Sequence, residues 1–239
     1  MKIDRLNNIN IIVNNSNLDG FKIVHISDLH INLKTKKSDI INLVNQCLTL
    51  PYDILVITGD IIDCKANKLI DKLQILNRLR NAYFISGNHD LFYGVNDLKK
   101  NLNNIIFLDN RIDTLSFKDT KIAIAGLSDR FSKFFKIKRD EEKLLNSLKK
   151  YKNCILLAHQ PKDYKLAVKN NINLFLCGHT HGGQIFPFHI FVKLFQPFLS
   201  GLYYKKNSAI YVNNGLGTWG VDFRYKAKSE IAFLKLIHS

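Results

Sequence analysis

Ile54-Leu55-Val56-Ile57-Thr58-Gly59-Asp60-Ile61-Ile62-Asp63 is an apolar, mostly β-branched run that stops at a glycine and continues into two aspartates three residues apart. A run this short, bounded by glycine, reads as a strand buried on both faces, with its acids on the loop that leaves its carboxyl end. The same grammar recurs along the chain. Phe21–Ser27 precedes Asp28-Leu29-His30, and Ala82–Ile85 precedes Gly87-Asn88-His89-Asp90. Ile155–Ala158 precedes His159, and Leu174–Cys177 precedes Gly178-His179-Thr180-His181-Gly182-Gly183; Ile122–Ala125 is a further strand. Between them, the spacing of apolar positions predicts helices over Ser38–Leu48, Ala66–Arg80, Val95–Leu102, Asp140–Tyr151 and Asp163–Asn170. Asp140 opens a first turn with Glu141 and Glu142, and Lys149 and Lys150 close the last, as the helix dipole favours. After Thr180 the texture turns to strands and glycine-containing loops, closing on an apolar run from Glu230 to His238. Alternating strands and helices followed by mostly strands predict an α/β fold built as a two-sheet sandwich. With no repeat, linker or low-complexity segment, residues 1–239 read as a single domain.

Composition bounds the partners. Of 239 residues 46% are hydrophobic and 11% aromatic, which supplies a core and excludes a disordered polymer. The 35 Lys and Arg against 20 Asp and Glu give a net charge of +15. That excess suits an anionic partner (nucleic acid, phosphorylated small molecules or a negatively charged membrane face) or a lysine- and asparagine-rich solvated surface. Cys47, Cys64, Cys154 and Cys177 are scattered, without a C-x-x-C pair, and read as reduced structural residues. Met1–Asp19 alternates apolar and polar positions and lacks the roughly 7–15-residue apolar stretch of a secretory signal. A cytoplasmic location is the expectation.

Five strand-to-loop junctions rich in Asp, Asn and His predict a metal site, because strand ends of α/β sheets converge on one crevice. Oxygen and imidazole donors without a thiolate suit two divalent ions, with Mn the expectation and Fe, Zn, Ni or Co as alternatives. A carboxylate shared by two ions about 3.5–4 Å apart is suited to phosphoester hydrolysis.

The order D-x-H, G-D-x-x-D, G-N-H-D, a lone His and G-H-x-H, from Phe21 to His181, resembles the calcineurin-like metallophosphoesterase superfamily. The resemblance implies two β-sheets flanked by helices in four α-β-β-α layers. It implies that Asp28, His30, Asp60 and His181 hold one metal and that Asp60, Asn88, His159 and His179 hold the other, with Asp60 as the bridge. Each ion then receives a carboxylate and neutral imidazoles, a chemically sensible division. His89 would contact the phosphate and protonate the leaving group, Asp90 would orient its ring, and Asp63 would stand behind the ligands. Hydroxide generated by the metal pair would attack phosphorus in line, with no covalent phosphoenzyme. His25 and His238, in apolar runs, read as packed or surface histidines, and Asp63 and Asp90 have an alternative reading as turn or helix caps. Asp129 and Arg130, after Gly126, are candidates to touch substrate and otherwise loop residues. With every expected ligand present, an enzyme is favoured over a non-catalytic metal-binding scaffold.

Gly182-Gly183-Gln184-Ile185, Gly201-Leu202-Tyr203, Tyr211–Thr218 and Arg224 look like the branch of small, often membrane-associated bacterial phosphoesterases. That branch includes the UDP-2,3-diacylglucosamine diphosphatases of lipid A synthesis. Lys228-Ser229-Glu230-Ile231 departs from it by lacking a proline before the glutamate. Arg224 is a candidate substrate contact. The segment 186–204 is unusually aromatic, but Pro187, Pro197, Lys193, Gln196 and His189 argue against a lipid-exposed spanning helix. Phe186, Phe188, Phe191, Phe195 and Phe198 are expected to face lipid or an acyl chain, placing the protein peripherally on the inner face of the cytoplasmic membrane; packing as core is the alternative. The expected substrate is a phosphodiester or pyrophosphate in a lipid-linked nucleotide such as UDP-2,3-diacylglucosamine. Soluble cyclic nucleotides or other small phosphodiesters are the alternative. A nuclease is disfavoured, since no array of stacking aromatics and basic residues for nucleic acid is evident. Protein partners are not legible.

Overall fold

The computed structural model describes residues 2–187 and 189–238. Its strands are β1 (Arg5–Val13), β2 (Lys22–Ile26), β3 (Ile54–Thr58), β4 (Ala82–Ile85), β5 (Ile105–Phe107) and β6 (Arg111–Phe117), then β7 (Thr120–Gly126), β8 (Cys154–Leu157), β9 (Leu174–Cys177), β10 (Gly201–Lys205), β11 (Ser208–Val212) and β12 (Glu230–His238). They form two six-stranded sheets, ordered β1-β12-β2-β3-β4-β5 and β10-β11-β9-β8-β7-β6. In each, a parallel core (β2 to β5 and β7-β8-β9-β11) is joined at its margin by antiparallel pairings.

The alternation of side chains along buried strands separates three apolar layers. Ile23, Val56, Ile85, Ile124, Ile155, Leu176 and Leu234 fill the space between the sheets. Val24, Leu55 and Ile57 point the other way, beneath helices α1 (Lys37–Leu48) and α2 (Ile70–Leu76). On the second sheet Ala123, Leu156 and Phe175 pack under the helices later in the chain. Between β4 and β5 lie α3 (Asn88–Tyr93) and α4 (Val95–Asn101); α5 (Glu141–Leu148), α6 (Tyr164–Lys169) and α7 (His189–Phe195) follow. The result is the four-layer α-β-β-α arrangement. No helix among the described residues is long and apolar enough to cross a membrane.

Two elements depart from expectation. The helix expected over Ala66–Arg80 is a 3-10 turn at Ala66–Lys68 followed by α2, which ends at Leu76. The side chain of Asn77 is diverted to the carbonyl of Asn101 and the amide of Asn104, so it docks α4 instead of extending the helix. The amino-terminal alternation is itself strand β1, an edge strand whose Ile11 and Val13 enter the core while the residues between them face out.

Candidate metal centre

The ligand candidates all leave the carboxyl ends of parallel strands. Asp28 and His30 follow β2, Asp60 follows β3, His159 follows β8, and His179 and His181 follow β9; Asn88 and His89 open α3 after β4. Asp28, His30, Asp60, His179 and His181 adopt left-handed backbone, with φ of 51°, 45°, 53°, 73° and 51°. Such conformations persist only where surrounding structure enforces them, and they collect at functional sites. Two glycines make the approach possible. A Cβ on Gly87 would lie 2.6 Å from the amide nitrogen of Asp60, and Gly59, at φ 94°, lies against the ring of His159.

These residues form two groups of convergent donors, Asp28–His30–His181 and Asp60–His159–His179, and His30 also stands in a third with Asp63 and His89. The Nε2 atoms of His30 and His181 face each other at 3.1 Å, and His179 Nδ1 faces His159 Nε2 at the same distance. Paired ring nitrogens this close suit two donors aimed at one cation. Asp60 stands between the groups, its Oδ2 3.2 Å from His159 Nε2 and 3.8 Å from His30 Nε2. Asn88 Oδ1 is buried without a hydrogen-bond partner, which suits an acceptor able to ligate a cation.

The surroundings hold the donors in register. His159 Nδ1 lies 2.7 Å from the carbonyl oxygen of Thr58, which fixes the proton there and leaves Nε2 as a ligand. The amide of His89 donates to Asp60 Oδ1, and the amide of His179 donates to both oxygens of Asp28. Burial opposes charge on Asp60, yet His159, His30 and His89 hold its carboxyl far below the usual range. Burial and the neighbouring His159 push the pKa of His179 down to about 4, so this ring is neutral, the form that can ligate a cation.

The partner of His89 is not the expected one. Its Nδ1 lies 2.7 Å from Asp63 Oδ1. Asp90 instead accepts from the amides of Ile61 and Ile62 through Oδ1 and of Gly87 through Oδ2. Asp90 thus stitches the loops after β3 and β4 together, and its orientation of His89 is replaced by that of Asp63. The second aspartate of G-D-x-x-D carried the signal: three residues beyond Asp60, it has length enough to reach the ring beside it. Against the penalty of burial, the Asp63 hydrogen bond and the Asp60 charge raise the pKa of His89. Its side chain is 26% exposed, whereas those of His30, His159 and His181 are almost fully buried, so His89, like the half-buried His179, is open to an incoming group.

Three candidate substrate contacts are otherwise engaged. Arg224 borders a cavity of about 490 Å³ beside His30, but its guanidinium donates to the carbonyls of Gly217, Asn214 and His181 and lies 3.0 Å from His181 Nδ1. It positions His181 and the 214–217 loop, a role invisible in a sequence without the fold. Asp129 is buried, accepting from the amide of Phe131 and from Gln160. Arg130 pairs with Asp163 at 2.7 Å. In the aromatic segment, Phe186, Phe191 and Phe195 are exposed as expected, on and before α7. Phe198 is a correction: it is 8% exposed and packs in the core against Tyr164 and Tyr203, because the chain turns inward toward β10. Phe188 lies outside the described residues.

Comparison with known proteins agrees with this geometry. Residues 21–183 match the model of the calcineurin-like phosphoesterase family. An uncharacterized metallophosphoesterase of Helicobacter pylori is 35% identical over 224 residues, covering 90% of this chain and 60% of the relative. A Bacillus subtilis metallophosphoesterase, YkuE, is 34% identical over 231 residues, covering 91% and 79%. A zebrafish (Danio rerio) transmembrane protein with metallophosphoesterase domain is 31% identical over 234 residues, covering 92% and 54%. The chain therefore spans little more than half the length of several of these relatives. Among solved structures, the NAD nucleotidase of Haemophilus influenzae superposes with a TM-score of 0.57 at 20% identity, over 80% of this chain and 44% of that one. A 5'-nucleotidase precursor of Thermus thermophilus gives 0.54 at 16%, over 90% and 54%; these two likenesses concern the fold. With five donor-bearing loops converging on one centre, and a match spanning β2 to the G-H-x-H turn, the chain belongs to the calcineurin-like phosphoesterase family.

Proposed function

We propose that the protein hydrolyses phosphoric esters at a pair of divalent cations. The observation that carries this is the convergence of Asp28, His30 and His181 with Asp60, His159 and His179 across Asp60, with the buried, unpartnered Oδ1 of Asn88 on the loop after β4 and the half-buried ring of His89 beside them. The cations would lower the pKa of water and draw charge from the phosphoryl oxygens. The chain's own part is to hold that geometry, with His89 placed to contact the phosphoryl group and donate its Nε2 proton to the departing oxygen while Asp63 steadies Nδ1. Mn is the proposed occupant, since carboxylate, amide and imidazole donors accept it readily.

For substrate we favour a phosphodiester or pyrophosphate attached to lipid, with UDP-2,3-diacylglucosamine as the named candidate. Its support is the exposed apolar helix α7, which follows closely on His181, and the transmembrane relatives. A soluble nucleotide phosphodiester is the second reading, favoured by the cavity of about 490 Å³ beside His30, which Asn32, Thr35 and Thr218 line with polar groups. The test is hydrolysis by Mn-loaded protein of UDP-2,3-diacylglucosamine in mixed micelles, beside bis(p-nitrophenyl) phosphate and an EDTA control. EDTA-sensitive UMP release supports the lipid substrate. Aryl diester cleavage without UMP release refutes it and leaves the second reading, and no hydrolysis of any phosphoester refutes both.

A further inference from the structure

Fourteen of the twenty large apolar side chains exposed among the described residues belong to five segments, at 33, 92, 131–135, 186–195 and 219–225. They belong to separate loops that meet as a ring. Leu33, 63% exposed, follows His30, and its neighbour Lys34 pairs with Asp222 at 3.6 Å. Asp222 belongs to the 219–225 loop, which carries Trp219, 57% exposed, and Phe223. That loop is tied to the next segment, because the side chain of Gln184 donates to the carbonyls of Trp219 and Val221 and the amide of Phe186 donates to the carbonyl of Tyr225. Helix α7 follows, with Leu194 and Phe195 about 70% exposed. Phe195 and Arg130 border one cavity, and the turn Arg130–Phe135, with Phe134 exposed, packs on α3. On α3, Phe92 is 71% exposed, and the neighbouring Tyr93 ring lies 6.1 Å from His89. The ring thus returns to the metal centre it encloses.

Its exposed charge is mostly positive, with Asp222 on the ring and Glu141 lining the cavity between Phe195 and Arg130 as acids among the lysines and arginines. No Asp or Glu occurs between Asp163 and Asp222, and Asp222 is paired with Lys34. Lys133 and Lys226 lie over the rings of Phe134 and Phe186, so their ammonium groups are interleaved with the aromatics. Aromatic rings with lysines beside them suit the boundary between acyl chains and anionic headgroups. A protein seated on this ring would cover the centre, whereas a fluid bilayer would present phosphate groups to it.

We propose that this whole face docks on an anionic phospholipid bilayer, with the metal centre turned toward the headgroups. The docking stands on the ring alone, and the supply of substrate from the bilayer rests on the phosphoesterase reading.

Trp219 is the chain's one tryptophan, so its emission reports this face. The intact protein is titrated with phosphatidylglycerol–phosphatidylcholine vesicles and with phosphatidylcholine alone. The expected result is salt-sensitive binding to the anionic vesicles, with a blue shift of Trp219 and quenching by lipids brominated in the acyl chain. Phe134→Ser and Leu194→Ser, on separate loops, should each lower partitioning roughly tenfold, and Ile12→Ser on β1 should not. Absence of quenching, or wild-type partitioning by both ring variants, overturns the proposal. So does lipid-free, concentration-dependent self-association that those variants abolish, which would assign the face to a second copy. Hydrolysis of water-soluble bis(p-nitrophenyl) phosphate, measured in parallel, tests the metal centre separately: its absence with docking intact removes the phosphoesterase reading and leaves the docking face.

Discussion

Replacing Asp63 and Asp90 separately by Asn tests which carboxylate serves His89. Asp63 makes one hydrogen bond of 2.7 Å to a half-buried ring, and Asp90 makes three to backbone amides in the interior. A hydrogen bond to a charged group contributes about 1.5–3 kcal/mol. Without it the ring loses both its anchor and the charge that favours its protonated form, so kcat should fall roughly ten- to hundredfold at about 1.4 kcal/mol per decade. Bound metal should stay near the wild-type level, because Asp63 is no closer than 3.8 Å to the ligand His30. The loss should be largest for alkyl leaving groups, which need a proton, and smaller for p-nitrophenolate. Asp90→Asn should do the reverse. An amide group set among three N–H donors leaves at least one buried donor unpaired and lowers stability by about 1–3 kcal/mol, read as a drop in Tm. The assay is kcat against leaving-group pKa for both variants, with metal content and Tm measured on the same samples. Wild-type kcat in Asp63→Asn, or a pure turnover loss at unchanged Tm in Asp90→Asn, would refute the assignment.

Arg224→Lys should weaken metal binding about ten- to hundredfold, because one ammonium group cannot satisfy the carbonyls of Gly217, Asn214 and His181 together; a metal titration reads this. Gly87→Ala should lose about 1–3 kcal/mol and metal affinity with it, since the new Cβ would lie 2.6 Å from the Asp60 backbone; thermal unfolding with and without Mn separates the two effects. Burial holds the pKa of His25 down to about 3, against 6.5 for a free imidazole. The folded state therefore refuses a proton that the unfolded state accepts, and stability falls as pH drops from 6.5 toward 3. At pH 4.5 this amounts to about 2–3 kcal/mol, so urea unfolding of wild type between pH 7 and 4.5 should show a steeper loss than that of His25→Gln.

The parallel strands were legible because burial on both faces leaves an uninterrupted apolar run, as in Ile54–Thr58, Ala82–Ile85 and Leu174–Cys177, which match the observed bounds. Strand β1 was not read as one, since an edge strand shows only alternation, which polar loops also show. The donor residues were legible because they sit directly at strand ends. Their supports were not. Thr58 contributes a carbonyl, which any residue would supply, and Arg224 reaches His181 only after the 214–224 loop folds back. Asp90, beside His89 in sequence, was mistaken for its partner because adjacency along a helix turn does not direct side chains toward each other. Phe198 belonged by composition with the exposed aromatics, and only the inward turn before β10 separates it from them.

The left-handed backbone at five donors explains how separate loops become one site. Each such residue costs about 1–3 kcal/mol, so the conformation must be held by bonds outside the residue itself. Those bonds run between loops. The amide of Asp28 donates to Gly59, that of His30 to Asp60 and that of Ile31 to Ile61, so the chain after β2 continues to pair with the chain after β3 beyond the sheet. Across the sandwich, the amide of Gly217 donates to the carbonyl of Asp28, and within the second sheet the amide of Gly178 donates to the carbonyl of His159. The glycines at 59, 87 and 178 stand where these loops approach more closely than a Cβ permits. The donors are therefore positioned by backbone pairing between loops. Because that pairing is made by backbone groups of the loops themselves, the rim side chains beyond them are free to vary in service of the surface they face.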